Sequence, residues 1–81
     1  MFTKKQIEEI INKIRAFSAP ERILLFGSYA HGNPSKASDI DILIIKFSDE
    51  IFHKRARKIR AIFRGTGIPL DIFVYTPIEV D

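Results

Sequence analysis

Two aspartates one residue apart, Asp39 and Asp41, open a run that is otherwise isoleucine and leucine, SDIDILII. This run constrains the fold of the 81-residue chain more than any other stretch. A short apolar run that follows a polar loop reads as a buried strand. Strand residues i and i+2 point to the same face with Cα atoms roughly 6.5 Å apart, so both carboxylates converge on one place. Two like charges about 4 Å apart repel by roughly 4 kcal/mol at an effective dielectric near 20. A fold that keeps both ionised therefore supplies a compensating cation.

The segments on either side follow from periodicity and punctuation. Thr3 and Gln6 have capping-box spacing and start a first helix, in which Ile7, Ile10, Ile11, Ile14 and Phe17 form one apolar stripe. It ends before Pro20, because the residue preceding proline is steered away from helical angles. Arg22 to Phe26 reads as a strand buried on both faces and closed by Gly27. Gly27 permits close approach of the backbone to a ligand. Ser28 places a hydroxyl at the start of a short helix through Tyr29 and Ala30, an arrangement that suits a phosphate. After the polar loop from Gly32 to Ser38, Asp39 to Lys46 is strand two, with Ile40, Ile42 and Ile44 on one face and Asp39, Asp41 and Leu43 on the other.

Ser48 with Asp49 and Glu50 reads as an N-cap, which predicts one helix running to about Arg64 and stopped by Gly65 and Gly67. Ile51, Phe52, Ala56, Ile59, Ile62 and Phe63 form its apolar arc, into which Arg55 intrudes as a snorkelling side chain. Ile68 to Tyr75 is strand three, with Asp71, Phe73 and Tyr75 sharing a face. Thr76 and Glu79 repeat the capping-box spacing, and Pro77 sits at the first helical position, so one last helical turn is expected.

The order helix, strand, strand, helix, strand predicts an α+β fold: a three-stranded mixed sheet with helices packed against it. The helical crossover makes strands two and three parallel. Asp39, Asp41 and Asp71 then share one edge, and an antiparallel strand one brings Gly27 and Ser28 to it. Oxygen ligands with no cysteine point to Mg²⁺ or Mn²⁺ as the cofactor. The length fits a single domain over residues 1–81. Hydrophobic residues are 46% and charged residues 28% of the chain, and no run reaches membrane-spanning length. With no secretory signal at the N-terminus and no cysteine, a cytoplasmic location is the expectation. A net charge of +3 and a pI near 9.5 bias the chain toward anionic partners such as nucleotides, with nucleic acid the less favoured of them.

Gly27-Ser28, then Asp39-Ile40-Asp41, then Asp71 on a later strand resembles the minimal nucleotidyltransferases of the DNA polymerase beta superfamily, in both motif and order of elements. The resemblance implies the nucleotidyltransferase fold and Mg²⁺-dependent transfer of a nucleoside monophosphate, AMP from ATP in many members. It implies metal binding and catalysis by Asp39, Asp41 and Asp71, with Asp71 helping to activate the nucleophile, and triphosphate binding by Gly27 and Ser28. Many members are similar to antitoxins that silence a HEPN-domain toxin, some by adenylylating a toxin tyrosine, so a HEPN-type partner is implied, and an oligomer is compatible with it. His31 stands where the family often has arginine, and relatives commonly continue beyond the position of Asp81 into another helix. The alternative is a binding module that neutralises a toxin by contact without turnover. A basic RNA-binding domain ranks third. The bland readings are edge charges for the aspartates, a solvated face for the basic residues from Lys54 to Arg64, and packing for Tyr29 and Tyr75.

Overall fold

A computed structural model describes residues 2–35 and 38–80 of the chain. Helix α1 (Lys4–Ser18) leads into strand β1 (Arg22–Phe26), the short helix α2 (Ser28–His31) and strand β2 (Ile40–Ile45). Next come a 3₁₀ turn (Phe52–Lys54), helix α3 (Arg57–Ala61), strand β3 (Leu70–Tyr75) and the single turn α4 (Pro77–Val80). The sheet order is β1-β2-β3, antiparallel between β1 and β2 and parallel between β2 and β3, as the crossover requires. The fold is the α+β arrangement that the sequence predicts, with strands two and three slightly shorter than their apolar runs.

Both capping boxes form. The Thr3 hydroxyl accepts the Gln6 amide at 3.1 Å and the Gln6 side chain accepts the Thr3 amide at 2.8 Å, so α1 starts where two orphan donors are satisfied at once. It ends at Ala19, which turns left-handed (φ 46°, ψ 55°) and donates to the Arg15 carbonyl ahead of Pro20. Ile7, Ile10 and Ile14 pack on Ile40, Ile42, Ile44, Ile72 and Val74, and Ala56, Ile59 and Phe63 complete the core. Alternation does the sorting: every second residue of the central strand points into this layer, and Ile40, Ile42 and Ile44 are completely buried.

All of this burial lies on one side of the sheet. Strand β1 has one covered face and one open face, not the two buried faces expected, and Leu24 and Phe26 stand on the open side at 36% and 40% exposure. A continuous apolar run does not distinguish a strand buried on both faces from an edge strand whose outer face is also apolar. Phe17, Ile51 and Phe52, assigned to apolar stripes by spacing, are likewise exposed.

The helix expected from Ser48 to Arg64 is broken into two pieces. The Ser48 hydroxyl accepts the amide of Glu50, two residues on, in a tight turn, and Ile51 is extended (φ −65°, ψ 151°), so no helix starts there. Arg55 sets the path of the next turn. Its guanidinium does not snorkel: Nε donates to the Glu50 carbonyl at 2.9 Å, while Nη1 donates to the Val74 carbonyl at 3.2 Å and to Glu79 at 2.6 Å. With the Glu50 carbonyl taken by a side chain, the Lys54 amide turns to Ile51 as a 3₁₀ bond, and α-helical pairing begins only at α3.

The Arg55–Glu79 pair also fixes α4, whose capping box has Glu79 accepting the Thr76 amide at 2.8 Å. The Arg55 hydrogen bond first, and that of the Thr76 amide second, hold the Glu79 carboxyl down at about 2, against an ordinary 4.5. A carboxyl lowered on folding stabilises above pH 4.5 and loses that contribution as pH falls from 4.5 through about 2. Thermal unfolding of native protein and Glu79→Gln should therefore differ above pH 4.5, and the two midpoints should converge across that window.

Candidate active site

The register of the sheet assembles the site. Asp41 pairs with Asp71 across the parallel β2–β3 ladder and with Phe26 across the antiparallel β1–β2 ladder. Directly paired residues on neighbouring strands share a face, so the two carboxylates stand side by side on the open side of the sheet. Phe26 is the last residue of β1, so the next residue, Gly27, begins its turn against Asp41.

Gly27 is fitted to that carboxylate. Its backbone (φ 75°, ψ −157°) lies in a region closed to residues with a Cβ. A Cβ built there would collide with the Asp41 carboxylate and stand 3.2 Å from its Cγ. The Gly27 carbonyl accepts the amides of Ala30 and His31 at 3.1 Å each, closing the single turn of α2, and the Ser28 carbonyl accepts the Asn33 amide beyond the left-handed Gly32. Gly27 and Ser28 are thus held at the same edge as the acids, as the antiparallel strand one predicts.

Partial burial raises the Asp41 carboxyl above its ordinary value, and the charge of the neighbouring Asp71, a hydrogen bond with Asp71 and the charge of Asp39 raise it further. The sequence expects three acids; the structure joins two of them. Asp39 is exposed and sits one residue before β2, near enough for its charge to be felt by Asp41. Among the described residues no group of three or more His, Asp or Glu side chains is gathered closely enough to hold a metal ion by itself. His31, the last residue of α2, is exposed.

The open face beside the acids is apolar. Phe26 and Phe73 approach to 6.1 Å between ring centroids across the central strand. With Leu24, Leu43, Tyr75 and Val80 they line a groove of about 680 Å³. The alternation Asp71-Phe73-Tyr75 already places two of these on the face of an acid. Phe26 is hidden from such a reading because its pairing partner is set by register. Tyr29 is a packing residue: its hydroxyl accepts the Phe2 amide at 3.0 Å, and its ring lies against Phe2. Tyr75 stacks at a tilt on Phe52, centroids 5.0 Å apart. No helix among the described residues is long and apolar enough to cross a membrane.

Comparison with known proteins gives two matches. A family model described as a nucleotidyltransferase domain covers residues 5–81. A protein of Methanocaldococcus jannaschii named "Putative protein adenylyltransferase MJ0604" is 43% identical over 47 residues, which make up 56% of this chain and 47% of that relative. The match thus spans about half the length of the curated relative. No solved structure matches the chain.

Proposed function

Because the chain belongs to the nucleotidyltransferase domain family, a membership shown by the match over residues 5–81, we propose that it transfers AMP from ATP to a protein hydroxyl in a Mg²⁺-dependent reaction. We further propose that the acceptor is a HEPN-type toxin, with this chain as its antitoxin. The observation that carries the catalytic reading is the side-by-side placement of Asp41 and Asp71 on an open sheet face against the Gly27 turn. The name of the Methanocaldococcus jannaschii relative supports the protein acceptor.

The donor set fits a hard divalent cation. It is all oxygen, two of its carboxylates are paired directly across the ladder, and Mg²⁺ is commonly held by one or two carboxylates together with substrate phosphates. Asp41 and Asp71 would hold it together with the substrate phosphates, and Asp39, exposed one residue before β2, would have to turn toward them to add a third oxygen. When bound, it supplies charge neutralisation for the triphosphate and acidifies the attacking hydroxyl.

The remaining work falls to the chain. The main chain at Gly27, with no Cβ in the way, and the Ser28 amide and hydroxyl orient the triphosphate. Asp71 orients the acceptor hydroxyl and takes its proton. The hydroxyl oxygen bonds to the α-phosphorus as the bond to the bridging oxygen breaks, and pyrophosphate leaves with that electron pair.

Incubating the chain with α-³²P-labelled ATP, Mg²⁺ and cell lysate tests the reading. A labelled protein band should form with the native chain and disappear with Asp39→Asn and with Asp71→Asn. If native protein transfers no label from any nucleoside triphosphate with either Mg²⁺ or Mn²⁺, the catalytic reading fails and the contact-only binding module replaces it.

A further inference from the structure

A three-stranded sheet has two open edges, and this chain treats them differently. On β3 the carbonyl of Tyr75 and that of Pro69, just before the strand, accept amides at the two ends of β2, Lys46 and Ile40, at 2.9 and 2.8 Å. The carbonyls of Ile72 and Val74 accept instead from arginines. Arg60 Nη2 reaches Ile72 at 3.0 Å and Arg55 Nη1 reaches Val74 at 3.2 Å. Arg55 is held there by Glu79 and by the Glu50 carbonyl. Acceptors that an incoming strand would need are taken, and two guanidinium groups stand in its path. Charge at an edge is a recognised device against strand addition.

Strand β1 has no such guard. Among the described residues no side chain hydrogen-bonds to the main chain of Arg22 to Phe26, and beyond the pairing with β2 its backbone has no partner. It contains no proline, so no amide of the strand is missing, and those that alternate away from β2 are open to a further ladder. Its sequence, RILLF, is apolar except at its first position, and Leu24 and Phe26 are exposed.

We propose that the open edge of β1 binds a second copy of this chain, β1 pairing antiparallel with β1 of the other copy about a two-fold axis through Leu24. The strand is self-complementary in that register. Leu24 opposes Leu24, Ile23 opposes Leu25, and Arg22 opposes Phe26 of the other copy. Opposed residues share a face, so apolar residues meet apolar residues on both faces, and the only charge in the strand lies against an aromatic ring instead of a like charge. The pairing joins two three-stranded sheets into one of six strands. Antiparallel strands point their ends in opposite directions, so the two Gly27 turns lie far apart and both acid pairs remain open. Five paired residues a side make a small interface, and the dimer forms reversibly with concentration.

The chain contains no cysteine, so single cysteines report the register directly. Residues opposed across antiparallel strands have Cα atoms about 4.5–5.5 Å apart, within disulfide range. Under mild oxidation Leu24→Cys should cross-link to itself, giving twice the 9.3 kDa of the chain. Arg22→Cys alone should not, whereas Arg22→Cys mixed with Phe26→Cys should. In sedimentation equilibrium the native mass should rise from 9.3 kDa toward double with concentration, and Leu24→Lys should abolish the rise. If Leu24→Lys does not fold, the cross-linking pattern decides alone. A native chain that stays at 9.3 kDa up to millimolar concentration overturns the proposal. So does a dimer in which Leu24→Cys cross-links no faster than Arg22→Cys.

Discussion

Asp41→Asn is expected to abolish nucleotide transfer and, in the same protein without metal, to raise the thermal midpoint. The two effects have one origin. Asp41 stands beside Asp71 on a partly desolvated face with the Asp39 charge nearby, and these neighbours raise its carboxyl above the ordinary value. A carboxyl raised on folding makes the folded chain bind more protons than the unfolded one, so its contribution to stability falls as pH climbs through that window. At neutral pH the ionised group is a net cost, and a neutral amide of the same shape removes it. The same substitution takes away an anionic oxygen of the proposed metal site. Charge stabilisation by a bound cation is worth several kcal/mol, which corresponds to a loss of about a thousandfold or more in rate. Mg²⁺ should raise the midpoint of native protein, because a ligand that binds only the folded state stabilises it, and should leave Asp41→Asn nearly unmoved. Calorimetric scans of both proteins with and without Mg²⁺ check this. A variant less stable than native without metal would mean that Asp41 is a structural hydrogen-bond partner.

The parts of this site that sequence reveals are those set by local rules. Thr3–Gln6 and Thr76–Glu79 announce helix starts because both partners of each box lie within four residues, and both boxes form. Ile40, Ile42 and Ile44 of β2 sort to one face because strand period is fixed. The sequence places Asp41 and Asp71 on one edge, but it does not give their direct pairing. That depends on how far the crossover lets β3 slide along β2, a quantity that 24 residues of loop, turn and helix between Ile45 and Leu70 do not encode locally. The broken crossover helix has the same cause. Ser48, Asp49 and Glu50 carry good starting signals, yet Arg55 finds the Val74 carbonyl and Glu79, 19 and 24 residues away. A long-range ligand set for one guanidinium outweighs a helix preference of a few tenths of a kcal/mol per residue. The open face of β1 escapes notice because apolar composition looks the same whether a neighbour covers it or not.

Gly27→Ala should be the most damaging single methyl added to this chain. At φ 75° and ψ −157° a Cβ costs about 1–3 kcal/mol in the backbone alone. The new methyl would also overlap the Asp41 carboxylate, and forcing extra atoms into a filled space adds about 1–3 kcal/mol. Together these predict a destabilisation of roughly 2–6 kcal/mol, read by urea unfolding. Activity should fall further than stability alone explains, because Asp41 must swing away from Asp71, and a misplacement of about 1 Å at reacting groups costs on the order of a hundredfold. Gly32→Ala is the control. Gly32 has nearly the same φ, 80°, but nothing lies within 4 Å of its added Cβ, so this variant should lose about 1–2 kcal/mol to the left-handed backbone and keep its transfer activity. Combining Gly27→Ala with Asp41→Ala separates collision from strain. If the methyl's main effect is on the carboxylate, the double variant should be more stable than the sum of the two single changes predicts. Strict additivity would show that the damage lies in the backbone of the turn and that the contact with Asp41 is incidental.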